Sequence, residues 1–153
     1  MNDCTDRAEN QGKRLDGRFR TILQMISKNR KAVPREMELE RYCVKEQYTI
    51  KEVLEQFESY NNRVAIVTSD SDKVIGVVSQ GDILRALSAG QNLYTPVKQI
   101  IKNSFLHLYE KDLEKAYPIF KKKRISLLPV IDHSNKLIDF ITIDDIYEYL
   151  ENR

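Results

Sequence analysis

Two short polar constellations in the chain have the residue types and spacing to do chemistry: Ser79-Gln80-Gly81-Asp82 and Thr142-Ile143-Asp144-Asp145. In each, a hydroxyl precedes a carboxylate by three residues, directly after an apolar run. Two uses fit that pattern. In a capping box the hydroxyl accepts from the N3 amide and the N3 acid accepts from the cap amide, which starts a helix. As a binding element, the carboxylate can accept both hydrogen bonds of a vicinal diol, and the hydroxyl can donate to an anionic oxygen. The helix N-terminus between them offers free N–H groups and partial positive charge. Gly81 would let a ligand approach the backbone closely. Capping alone accounts for both pairs, and the two uses are compatible.

The elements that position these pairs follow from an internal repeat. Sliding the chain by 63 residues aligns Tyr42–Leu87 with Phe105–Leu150 without a gap. Identities include Phe57/Phe120, Val67/Val130, Lys73/Lys136, Asp82/Asp145, Ile83/Ile146 and Leu87/Leu150. Each copy reads as strand, helix, strand, turn, strand, helix. In the first, Tyr42–Val44 is a short strand and Thr49 caps a helix whose apolar face is Ile50, Val53, Leu54 and Phe57. Strands at Val64–Val67 and Val74–Val78 flank a turn at Asp70–Lys73, and a helix from about Asp82 to Ser88 stops at Gly90. The second copy repeats this: a strand Phe105–Leu108, an Asp112-capped helix Leu113–Lys123, strands Leu127–Val130 and Leu137–Thr142, and a helix to Leu150. Pro118 should kink the first of those helices. Between the copies, Thr95–Ile101 reads as a short capped helix with Pro96 at its first position. Apolar strands alternating with helices give an α/β (α+β) class. The expectation is two pseudo-symmetric β-α-β-β-α repeats packed sheet to sheet, since neither half buries enough surface alone. The implied division is a leader at 1–41, a first repeat at 42–95 and a second at 96–153.

These residues carry a resemblance. Val74-Ile75-Gly76-Val77-Val78-Ser79-Gln80-Gly81-Asp82-Ile83 resembles the third strand and following helix of a CBS (cystathionine-β-synthase-type) domain. Leu128–Asp132 with Leu137–Ile146 resembles the same family independently. The similarity spans about Tyr42 to Leu150. It implies that Ser79/Asp82 and Thr142/Asp145 contact the ribose and phosphates of an adenosine-containing ligand: AMP, ADP, ATP or S-adenosylmethionine. By family position, further contacts would come from Cys43, Val44, Lys45, Arg63 and Val64 in one half. In the other they would come from Leu106, His107, Ser126, Leu127 and Pro129. His107 would stack on or hydrogen-bond an adenine, unless it is an ordinary exposed strand-end histidine. Lys45, Arg63, Lys123 and Arg124 would neutralise phosphates, unless they are only solvated charges. Asp139 stands where the first copy has Gly76, and Ile66 where the second has Pro129, so the two sites should be unequal.

The resemblance implies a non-catalytic regulatory module, a homodimer associating through its helices, that signals to a client enzyme or transporter and needs no cofactor. The alternatives are a structural dimerisation or adaptor module with vestigial sites, and the regulatory part of a sugar-phosphate nucleotidyltransferase. The latter rests on the similarity of Asp82–Leu87 followed by Thr95-Pro96-Val97 to CBS pairs joined to such enzymes. The sequence carries no triad, metal-ligand spacing or P-loop. Cys4 and Cys43 show no paired spacing, and no signal peptide or apolar run of membrane length occurs, so the cytoplasm is expected. The net charge of +2 is uneven: Gln11–Arg35 carries eight basic residues against Asp16, while the chain from Tyr42 onward is near neutral. Phe19, Ile22, Leu23 and Ile26 lie at helical spacing in this basic leader, expected to dock on the body, a second subunit or, as the alternative, a membrane, nucleic acid or partner. No nucleic-acid motif appears, and residues 1 to about 15 are expected to be disordered.

Overall fold

The computed structural model describes residues 35–102 and 104–153, most of them in one compact unit, Glu40–Arg153. The expected leader helix and the tail before it lie outside the described residues. The element order is α1 (Arg35–Tyr42), β1 (Cys43–Lys45), α2 (Ile50–Tyr60), β2 (Val64–Thr68), β3 (Val74–Ser79) and α3 (Gln80–Ser88). It continues with a 3-10 turn (Val97–Gln99), α4 (Leu113–Lys123), β4 (Leu127–Ile131), β5 (Leu137–Thr142) and α5 (Ile143–Glu151).

The repeat is visible in the packing of the Glu40–Arg153 unit. One buried cluster holds Val53, Phe57, Ala65, Val67, Val78 and Ile83, with Val44, Ile50 and Val97. The second holds Ala116, Phe120, Leu128, Val130, Ile141 and Ile146, each 63 residues beyond a member of the first. The backbone follows the same period. Left-handed residues pair as Asn61 with Arg124 at helix C-caps, and Asp72 with Asn135 in the hairpin turns. The β-hairpins are both irregular at the same place, Val67/Thr68 and Val130/Ile131. The two sheets meet along β2 and β4, and an isolated bridge joins Lys73 to its own repeat mate Lys136. A contact between equivalent residues marks a local pseudo-twofold axis.

The helix starts have local causes. Thr49, Ser79 and Thr142 are extended at the cap position, and all three make full capping boxes with Glu52, Asp82 and Asp145. Asp112 caps α4 through the Lys115 amide. Because Ser79 is itself the cap, α3 begins at Gln80, two residues before the expected Asp82. The helix α4 runs through Pro118. The proline lies on the exposed side, where water can serve the Glu114 carbonyl that loses its partner. Pro96 is not a first helical residue. It is extended (φ −61°, ψ 138°) before a turn of three residues. Its neighbours are held as a bridge, with Ile50 N–H donating to Thr95 O and Val97 N–H to Tyr48 O.

The expected strand Phe105–Leu108 does not form. The first sheet is β1-β2-β3, with β1 parallel to β2, whereas the second is β4-β5 alone. Only a bridge survives there, Leu108 beside Val130, with Leu108 N–H donating to Pro129 O and Ile131 N–H to Leu108 O. Continuing this ladder toward Leu106 would require a donor from residue 129, and proline has none. Ile66, its repeat mate, keeps its N–H and the strand forms. The register also moves by one: Val44 pairs with Val67, but Leu108, not His107, pairs with Val130. That slip turns Leu108 toward the second core and His107 away from it, which avoids burying an imidazole.

Candidate functional site

The first signature helix opens onto a cleft of about 600 Å³. Ser79, Asp82, Val64, Ser126 and Leu127 all line it, as do Leu106, Lys123 and Arg124. The structure thus brings together parts of both repeats. Position follows from simple steps: β3 ends at Ser79, whose capping role turns the chain into α3 at the cleft. Arg124, in the left-handed conformation at the end of α4, turns the chain back into β4.

Asp82 is heavily used. Its Oδ2 accepts from Ser79 N–H and from Ser79 Oγ–H, each at 2.8 Å, and its Oδ1 accepts from Arg85 Nη2 at 2.6 Å. Partial burial alone would raise the carboxyl. The Ser79 hydrogen bonds and the Arg85 guanidinium outweigh burial and hold it below the ordinary value of 3.8. It is therefore a fixed anion at neutral pH. The other charged side chains lining the cleft are cations: Arg85, Lys102, Lys123 and Arg124.

Sequence reasoning missed the linker wall. Ile100, Ile101, Lys102, Ser104 and Phe105 line the cleft, and they can do so because Gly76 is small. A Cβ at Gly76 would lie 3.1 Å from Ile101 Cδ1 and 3.4 Å from Lys102 O. The signal was present as a glycine in one copy and Asp139 in the other. Arg85 was also missed as a site residue, although a cation three residues after an acid on a helix is a readable pair.

The other expected contacts are not gathered at this cleft. The Val44 side chain is in the core. Lys45 pairs with Asp72 at 2.5 Å. Arg63 is exposed, and its carbonyl accepts from Gln80 N–H at 2.8 Å. Burial of Cys43 pushes its thiol up to about 11. Pro129 is buried in β4 opposite Phe140. His107 belongs to a row of rings, Phe105–His107–Tyr109–His133, with centroid spacings of 5.2, 5.2 and 4.8 Å. At the second signature, Thr142 and Asp145 form their capping box. Asp145 faces a separate hollow of about 470 Å³ with Lys111, Glu148, Tyr149 and Arg153. Glu148 occupies the repeat position of Arg85. Among the described residues, no three His, Cys, Asp or Glu side chains converge to hold a metal, and no helix is long and apolar enough to cross a membrane.

The CBS domain model matches twice, at residues 25–89 and 97–152. The chain belongs to the CBS domain family. Its CBS pair is 26% identical over 107 residues to an uncharacterised protein of Methanocaldococcus jannaschii, covering 69% of this chain and 34% of that one. It is 30% identical over 109 residues to a homoserine O-acetyltransferase of Methanohalobium evestigatum, covering 71% and 22%. The chain thus spans about a third and about a fifth of these curated relatives. Among solved structures, a CBS domain protein from Pyrobaculum aerophilum complexed with AMP has a TM-score of 0.60 at 22% identity, covering 73% of this chain and 92% of that chain. The two-repeat α/β fold expected from the sequence is this fold.

Proposed function

We propose that this CBS pair is a regulatory module that binds an adenosine-containing nucleotide in the cleft at Ser79 and Asp82 and signals its occupancy to a partner protein. The observation that carries the reading is the charge layout of that cleft. One fixed carboxylate, suited to a ribose diol, faces four cations suited to phosphate. The AMP complex of the Pyrobaculum protein supports a nucleotide as the ligand class. The second signature, where Glu148 and Asp139 replace Arg85 and Gly76, is the weaker site in this proposal. Residues 42–95 and 96–153 are the proposed repeats, and the cytoplasm is the proposed compartment. The proposed client is an enzyme or a transporter, and the module itself is proposed to be non-catalytic.

Titration with AMP, ADP, ATP and S-adenosylmethionine by calorimetry and thermal shift tests this. Binding of AMP or a higher nucleotide is expected, weakened about tenfold or more by Asp82→Asn and less than about threefold by Asp145→Asn, since a lost charge-assisted hydrogen bond is worth about 1.5–3 kcal/mol. No stabilisation by any ligand at millimolar concentration would sink the proposal. It would favour an adaptor role instead, for which Leu84 and Tyr147 speak: they are repeat mates, both well exposed on α3 and α5, and suited to a homodimer contact.

A further inference from the structure

Arg85 lies one turn beyond Asp82 on α3, with its side chain 73% exposed. Its guanidinium flanks the first turn of the helix: a Cβ built on Gly81 would be 3.5 Å from Nη1 and 3.6 Å from Ser79 Oγ. A carboxylate offers about four lone-pair directions. Ser79 takes both on Oδ2, and Arg85 takes one on Oδ1. A vicinal diol needs two acceptors, and one remains. A ribose can therefore be held by both hydroxyls once Arg85, the solvent-exposed partner, leaves Oδ1, or once the Ser79 hydroxyl turns from Oδ2 to another acceptor such as a phosphate oxygen. The freed guanidinium stays at the cleft, beside Lys102, Lys123 and Arg124.

We propose that Arg85 is a latch that makes the cleft select phosphorylated nucleosides over unphosphorylated ones. The inference rests on the nucleotide reading above and adds a specificity residue to it. A nucleoside without phosphate that displaces Arg85 from Asp82 gives the guanidinium nothing in return, and it offers the Ser79 hydroxyl no anionic oxygen either. A nucleotide breaks the same pair and offers phosphate oxygens to the fork. Diol recognition and phosphate recognition are thereby coupled through one side chain. No such coupling is available at the second signature, where Glu148 would repel phosphate.

The test is calorimetric titration of the full chain and of Arg85→Gln with adenosine, AMP and ADP. Wild type should prefer AMP to adenosine by about tenfold or more, the scale of one charge-assisted hydrogen bond. Arg85→Gln should bind adenosine about two- to fivefold more tightly, because an exposed ion pair no longer competes for Oδ1. The same variant should bind AMP and ADP about fivefold more weakly, so that discrimination largely collapses. Arg85 is exposed and outside both cores, and an unchanged melting temperature checks that the fold is kept. If wild type binds AMP but Arg85→Gln shifts adenosine and AMP by the same factor, the latch is refuted while the nucleotide site stands. If wild type binds none of the three, both readings fall.

Discussion

Replacing Gly76 with aspartate, the residue that the second repeat carries at the same position, tests the account of the cleft. Gly76 is buried in β3 opposite Val67 and has an ordinary strand conformation, so it serves space rather than backbone freedom. A Cβ there meets Ile101 Cδ1 at 3.1 Å, Ile101 Cβ at 3.4 Å and Lys102 O at 3.4 Å. For Gly76→Ala the tight contact is with the tip of a flexible side chain. A strain of about 0.5–1 kcal/mol is then nearly offset by the lower entropy of the unfolded chain. For Gly76→Asp the side chain is larger and its charge faces the Lys102 carbonyl. Overpacking of about 1–3 kcal/mol adds to repulsion and partial desolvation, about 3 kcal/mol in all. Urea unfolding followed by circular dichroism should show the alanine variant within about 0.5 kcal/mol of wild type. The aspartate midpoint should fall by about 2 M, taking a slope of about 1.5 kcal/mol per molar. The aspartate variant should also lose nucleotide affinity, because the displaced Ile101–Lys102 segment is a wall of the cleft. An aspartate variant as stable as the alanine one would refute this reasoning.

Three further outcomes are expected. Arg124→Gly relieves a left-handed conformation at φ 53° and should raise stability by about 0.5–1 kcal/mol, while removal of a cleft cation weakens nucleotide binding, so thermal melts and calorimetry move in opposite directions. Burial keeps the Cys43 thiol protonated in the folded state to about pH 11, against an ordinary 9.0. That raised value stabilises the fold fully below about pH 9. The benefit, at most about 3 kcal/mol, is lost as pH rises toward 11, and Cys43→Val should flatten this part of the pH profile of urea midpoints. Pro129→Ile restores the donor that its mate Ile66 has. It should extend the second sheet toward Leu106, read as slow hydrogen exchange at the new amide; rapid exchange there would contradict the assigned cause of the missing strand.

The sequence by itself determined the two cores and the helix starts at Thr49, Ser79, Asp112 and Thr142. Apolar periodicity picked both cores, because six residues of one recur 63 positions on in the other. The three hydroxyl–acid pairs start helices because capping is satisfied within four residues. Tertiary structure decided the rest. A one-residue register slip at Leu108 is invisible to a gapless alignment, since it arises only when Pro129 and His107 meet a neighbouring strand. The linker became a wall of the cleft because Gly76 admits it, and that closeness is long-range. The two signatures share their hydroxyl–acid pair but already differ along the chain at Arg85/Glu148 and Gly76/Asp139. In space, the first faces four cations, three of them from outside its own helix, and the second shares its hollow with Glu148 as well as Lys111 and Arg153. Local residues give each signature its helix, and the surrounding fold gives each a different electrostatic setting.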